Sequence, residues 1–371
     1  MKAIVLGGGI GGLATAVALD RAGWQVEVLE RAPEFGEVGA GLAVLPNAMR
    51  ALDSLGLGDP VRALAVDGAQ AGVQDVSGRW LSRADAAELR RRYGEWAMVH
   101  RADLLEVLRA KVPAEALRPG VHVREVHADG TVVHSAGTST ADLVVGADGV
   151  RSATRRSLWE DAAPPRYAGY TTWRMISAPV PVREPVETWG RGMRFGYAPL
   201  ADGRVYCYAV ANAPEGSGGG LAELHERFAG WHDPIPALLA ATEENAVLHH
   251  DTYELPCLST YVRGSVVLVG DAAHAMTPNL GQGACQALED AVVLGSAVRG
   301  VRTRAVLADA LARYDRERRP RTQMVVRRSR RIGEVAHWSS PAAVALRDGA
   351  MRLMPRSTFV RSFAPILDWT A

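Results

Sequence analysis

The sequence predicts an α/β fold in which a domain built on a parallel sheet is interrupted by a mainly antiparallel sheet and followed by C-terminal helices. Three observations predict it. The chain opens on a short apolar run, a glycine-rich turn, an alanine- and leucine-rich stretch and a second apolar run. After Arg166 the texture shifts to aromatic-rich runs with a hairpin signal. At Ser265 it shifts back, through a continuous apolar run, to a mostly helical remainder. With 371 residues, 48% of them hydrophobic, the chain can bury a sizeable core, as two domains or one large interwoven unit.

Taken in order, residues 2–6 read as a strand, 10–22 as a helix and 25–30 as a second strand. A β-α-β unit of this length implies parallel pairing and a right-handed crossover. Further strand-like runs fall at 41–45, 121–126, 131–134 and 142–146, with a helix at 102–111 among them. Residues 170–176, 193–199 and 204–210 read as antiparallel strands. Ala201, Asp202 and Gly203 join the last two as a hairpin loop. Residues 265–270 form a buried strand of the parallel type, and the chain is mostly helical from Gly283. The parallel unit is thus expected to comprise residues 1–70, 95–165 and 264–300, and the inserted unit residues 71–94 and 166–263. Residues 301–371 are expected to be a helical segment packed on the parallel unit. Within it, the arginine-rich stretch 313–331 reads as the solvated face of a long helix.

Bulk properties exclude several classes. The net charge of +1 points to neither nucleic acid nor an acidic partner. No run reaches the roughly 18 apolar residues of a membrane span, so a soluble cytoplasmic protein is expected, as monomer or homodimer. Cys207, Cys257 and Cys285 are far apart without metal-ligand spacing, which reads as reduced intracellular thiols. His249 and His250 adjoin on a strand and point to opposite faces, so no metal is expected. Cys285 reads as a small packed residue and His274 as a structural histidine.

Chemistry enters at the first turn. Gly7, Gly9 and Gly12 form G-x-G-x-x-G between a strand and a helix. The first glycine permits the tight turn, the second lets the backbone approach a pyrophosphate, and the third lets helix and sheet pack closely. The helix start then offers free N–H groups and partial positive charge to the anion. Glu30 ends the second strand, where an acid takes ribose hydroxyls and disfavours a 2′-phosphate. A Rossmann-like domain for FAD or NAD follows. Two later stretches select FAD. DLVVGADGVR carries the pair Asp148 and Gly149. VVLVGDAAHAMTPNLGQGACQALED places Asp271 at a strand's carboxyl end, suited to ribityl hydroxyls. Pro278 then sets a turn, and Gly281, Gly283 and Ala284 open a helix whose N–H groups suit negative charge on a reduced flavin.

In this order and spacing the three motifs resemble the FAD-dependent aromatic hydroxylases related to para-hydroxybenzoate hydroxylase, over roughly residues 1–335. The resemblance implies a Rossmann-like FAD-binding domain interrupted by a substrate domain. It also implies tight, non-covalent FAD, NADH or NADPH as transient reductant, and O2 as co-substrate in hydroxylating a small aromatic or heteroaromatic molecule. Gly7, Gly9, Gly12 and Glu30 would hold the ADP half, with Arg31 beside them. Arg101 would contact the cofactor, and Asp148 would serve cofactor and reductant. Asp271, Pro278, Gly281, Gly283 and Ala284 would hold the ribityl chain and ring. Trp173, Arg174, Arg194, Tyr197, Tyr206 and Tyr208 are the candidates on the inserted sheet. A three-residue loop with Gly203 left-handed pairs Ala198 with Tyr206, which puts Arg194 and Tyr206 on one face. RYAGY at 166–170, Arg194 and Tyr206 also resemble the FAD-dependent urate hydroxylases, in which a matching arginine and tyrosine hold and activate substrate. The residues from 170 to 175 depart from that pattern, and Arg174 adds a charge. The alternatives are an epoxidase of an isoprenoid alkene, a flavin oxidase or reductase without oxygen insertion, and a flavin-binding protein without catalysis.

Overall fold

The computed structural model describes residues 1–36, 40–67, 72–83 and 85–370. The expected boundary at residues 70 and 71 lies outside the described residues. Six strands form the nucleotide-type sheet in the order Val262–Arg263, Val266–Leu268, Leu143–Gly146, Lys2–Leu6, Gln25–Leu29, Leu117–Arg118. All pairs are parallel except the edge strand Val262–Arg263. The central strands are buried on both faces, which is why they read as continuous apolar runs rather than alternating ones. Helix Ile10–Arg21 packs on this sheet, and helix Gly283–Ala297 packs on Ile10–Arg21. Their contact is close because it is built from small residues: a Cβ at Gly295 would lie 2.7 Å from Ala18 Cβ.

The inserted sheet has seven strands, ordered Leu248–Glu254, Arg166–Ser177, Val205–Asn212, Met193–Pro199, Val186–Trp189, Gly72–Asp75, Trp80–Arg83. Among the described residues, only the Val186–Trp189 and Gly72–Asp75 pair of this sheet is parallel. The hairpin has the expected register. Ala198 opposes Tyr206, the Leu200 N–H donates to Arg204 O at 2.9 Å, and Gly203 adopts φ +83°. The outer face of the sheet carries Trp173, Phe195, Tyr197 and Cys207 into a core completed by helices Leu221–Arg227 and Ile235–Ala240. The strand-like runs near 123 and 131 belong to neither large sheet. They join Gly137–Thr140 in a small antiparallel sheet. Among the described residues no helix is long and apolar enough to cross a membrane.

The arginine-rich stretch lies in the 33-residue helix Arg304–Ala336. It is not wholly a solvated face. Arg318 is 0% exposed, with Nε 2.7 Å from Asp290 Oδ1 and Nη1 2.5 Å from Glu289 Oε2. Arg321 adds a fork on Glu289 at 2.6 and 2.7 Å. The correction has a simple cause: Glu289 and Asp290 sit buried on the facing helix and require a cation. The C-terminal segment also departs from expectation, because it packs on the inserted sheet as well as the parallel unit. Arg347 donates to Gly190 O, and Arg352 pairs with Asp75 at 2.7 Å.

Arg318→Leu leaves two buried carboxylates short of their partner. It is expected to lower unfolding free energy by about 3–5 kcal/mol, read by denaturant titration of wild type and variant side by side.

Candidate active site

The glycine cradle is made by constraints visible at each glycine. Gly7 has φ +112°, and a Cβ there would lie 2.4 Å from Ala147 O. A Cβ on Gly12 would lie 1.9 Å from Gly7 O, so the helix cannot approach the strand with any other residue. At Gly9 a Cβ would meet nothing within 4 Å, and the helix start it caps has no side-chain cap. Open space over free N–H groups fits a pyrophosphate. Glu30 Oε2 accepts the Gly8 N–H at 2.6 Å and Oε1 the Ala32 N–H at 2.8 Å. Arg31 beside it is exposed.

The second part of the cradle follows the strand Val266–Leu268. Gly270, with φ +57°, turns the chain into the short helix Asp271–His274. Asp271 faces the start of Gly283–Ala297, its Oδ1 3.9 Å from the Cβ position of Gly283. Pro278–Leu280 forms a 3-10 turn, and Gly281 reverses the chain at φ +62°. Gln282, buried, is fixed by Asn47 at 3.0 Å. Asp148 Oδ2 accepts both the N–H and the hydroxyl of Thr154, at 2.9 and 3.0 Å. Its Oδ1 is buried and has no partner among the described residues. Arg101 lies near Arg174, Asp271 and Tyr206. Burial lowers its pKa, Arg174 lowers it further, and Asp271 opposes both. These groups fit FAD.

The register of the inserted sheet sorts the substrate candidates. Arg174 opposes Tyr208, and Arg194, Ala198, Tyr206 and Tyr208 share the face turned toward the cradle. Trp173 and Tyr197 have the opposite parity and lie in the outer core. Their apolar environment, not the cradle, takes them. Arg174, Asp271 and Pro278 line one cleft of about 180 Å³ together with Val150 and Thr172. Tyr206 lies across Gly41, where a Cβ would meet its ring at 2.3 Å.

Arg194 is the most heavily held group on this face. It is 2% exposed and donates to Glu187 Oε1 at 3.1 Å, Asn279 Oδ1 at 2.6 Å and His337 Nε2 at 3.1 Å. Arginine only donates, so His337 accepts at Nε2 and carries its proton on Nδ1, 2.7 Å from Asn212 Oδ1. Burial, with Arg194 and Arg347 nearby, pushes the His337 pKa down to about 2, so the ring is neutral. Tyr170 stacks on His337 at 4.1 Å, and its hydroxyl accepts from Asn279 at 3.0 Å. Burial raises the pKa of Tyr206, and burial with Glu187 nearby raises that of Tyr208 further. Glu187, Asn279 and His337 were not among the expected residues. Asn279 and His337 meet Arg194 from far away in sequence, and Glu187 meets it from the neighbouring strand.

His274 bonds buried Asp290 at 2.6 Å, as a structural histidine would. Cys285 is buried at the helix start, and burial pushes its pKa up to about 12. Among the described residues no group of three or more His, Cys, Asp or Glu could hold a metal ion.

A family described as FAD binding domain matches residues 1–214 and 225–329. The chain is 40% identical to aurachin C monooxygenase/isomerase of Stigmatella aurantiaca, over 95% of this chain and 94% of that protein. It is 34% identical to FAD-dependent urate hydroxylase of Klebsiella pneumoniae, over 91% of each. The structure of Klebsiella pneumoniae HpxO with FAD and uric acid superposes with TM-score 0.91 at 31% identity, covering 99% of this chain and 96% of that one. Fold, cradle and relatives define a FAD-dependent monooxygenase that takes NAD(P)H as reductant and O2 as oxygen source. The chain belongs to the FAD-binding-domain family of aromatic hydroxylases.

Two outcomes test the cradle. Gly9→Ala should fold with native circular dichroism yet lose bound flavin by at least about ten-fold, because the methyl fills the pyrophosphate space. Gly12→Ala should impair folding as well. In a native thiol titration only exposed Cys257 should react near neutral pH, with Cys207 and Cys285 reacting after unfolding.

Proposed function

We propose that a planar aromatic or heteroaromatic ring lies between the inner face of the inserted sheet and the loop carrying Pro278, Gly281, Gly283 and Ala284, and receives one oxygen atom there. The observation that carries this reading is the Arg194–Asn279 hydrogen bond of 2.6 Å. It ties the arginine of the substrate face to the residue next to Pro278. FAD, when bound, supplies hydride acceptance and oxygen activation.

The chain's own residues would do the rest. Gly7, Gly9 and Gly12 receive the pyrophosphate, and Glu30 the ribose. Asp271 takes the ribityl chain, with Arg101 and Asp148 beside the cofactor. The N–H groups of Gly283 and Ala284 face negative charge on the ring system. Arg194 has five N–H groups and commits three to protein partners, which leaves two for the polar edge of a substrate. Tyr206 and Tyr208, with raised pKa values, are protonated at neutral pH and act as donors or positioning groups rather than as bases. Packed between sheet and cradle, they also keep water from the reacting ring. Trp173 and Tyr197 support the sheet from behind.

The purified flavoprotein should consume NADH or NADPH and O2 faster when a suitable ring is added, with an oxygenated product. Hydride consumption that yields a reduced product without O2 uptake would overturn oxygen insertion. Arg194→Gln should keep its flavin while ring-stimulated turnover falls roughly ten- to hundred-fold, the worth of a charged hydrogen bond. Unchanged kinetics would remove Arg194 from the site.

A further inference from the structure

Resting on the reading that the substrate ring lies at the inner sheet face, we propose that the site is built for an uncharged ring and that Glu187 enforces this. A buried site that selects an anion needs a cation whose charge is still available. Arg194 has none to spare. It forms an ion pair with Glu187 at 3.1 Å, and Glu187 is itself only 8% exposed. The pair is made by the sheet and not by a mobile surface side chain. Glu187 opposes Gly196 in the register, and Gly196 alternates with Arg194 onto the same face. The missing side chain at Gly196 lets the Tyr208 ring lie across it, where a Cβ would meet the ring at 2.1 Å. Tyr208 thereby lies close to Glu187.

The other groups around Arg194 add no charge. His337 is neutral, and Asn279 accepts without charge. Farther along the cleft, Arg174 lies with Asp251 and Asp271 in its lining, and Arg101 lies near Asp271. Among the described residues, Arg174 and Arg101 thus have Asp271 near them, as Arg194 has Glu187. A carboxylate entering the site would compete with Glu187 for one guanidinium and leave two like charges in a dry space. An uncharged ring needs only the N–H groups of Arg194 that remain. Discrimination of this kind works by an installed repulsion as much as by attraction.

The test uses the FAD-loaded enzyme, 4-quinolone as the uncharged probe and 3-hydroxybenzoate as the anion. Affinity is read from the perturbation of flavin absorbance, and turnover from ring-stimulated NAD(P)H consumption. Wild type should bind the quinolone at least about ten-fold more tightly than the benzoate. Glu187→Gln should tighten benzoate binding roughly ten-fold or more while quinolone affinity stays within about three-fold. A wild type that prefers the anion, or a variant with an unchanged preference, overturns the proposal. A second measurement needs no variant. A ring whose own N–H ionises near neutral pH should bind wild type more weakly above its pKa than below, and the opposite trend also overturns the proposal. That titration decides alone if Glu187→Gln holds no flavin. If no ring of either charge perturbs the flavin or stimulates turnover in either protein, the placement of the substrate itself falls, and this inference with it.

Discussion

A single buried guanidinium fixes the geometry on which the active site stands. Arg318 belongs to the long C-terminal helix but spends its charge on Glu289 and Asp290 of the helix Gly283–Ala297. Asp290 does more than answer Arg318. Its Oδ2 also accepts the Gly270 N–H at 2.9 Å and bonds His274 at 2.6 Å. Gly270 and His274 bracket the turn that presents Asp271. Glu289 accepts from Asn47 at 2.7 Å, and Asn47 in turn fixes Gln282 at the helix start. The strand end, the Asp271 turn and the start of the helix are therefore set by one charge cluster in the protein interior. Such clusters give little net stability against an apolar replacement, but they define a geometry sharply because any displaced member leaves a bare buried charge.

The inserted sheet is joined to that frame by a second polar cluster. Arg194, Glu187, Asn279, His337, Asn212 and Tyr170 bring together four sheet strands, the turn after Asp271 and the end of the long helix. Because that helix carries Arg318 near its middle and His337 at its end, it touches both clusters. The C-terminal segment thus acts as a brace between the two units.

What was legible in the sequence follows from how local its cause is. Gly7 is required by its positive φ and Gly12 by a contact with Gly7 five residues away, so a short motif records them. The hairpin register follows from a loop of three residues, and it put Arg194 and Tyr206 on one face without further information. Trp173 and Tyr197 were harder, because both faces of this sheet are covered: the inner by the cradle and the outer by two helices. Aromatic residues then occur at both parities, and pattern alone does not tell inward from outward. Arg318 was hidden for a related reason. Its sequence neighbours Arg316 and Arg319 carry the same side chain, and only carboxylates 28 and 29 residues earlier single it out. Glu187, Asn279 and His337 meet only when distant strands, a turn and a helix end converge.

One detail of the cradle bears on how a cofactor arrives. The Glu30 carboxylate is already clamped by two backbone N–H groups, with one bond to each oxygen. Each oxygen keeps a second lone pair. An incoming ribose therefore meets an acceptor whose rotamer was chosen when the chain folded. The ordering cost of a side chain, about 0.5–1.5 kcal/mol, falls on folding rather than on association. Preorganisation of this kind favours holding the dinucleotide for long periods, as suits a prosthetic group that stays while reductant and ring exchange around it.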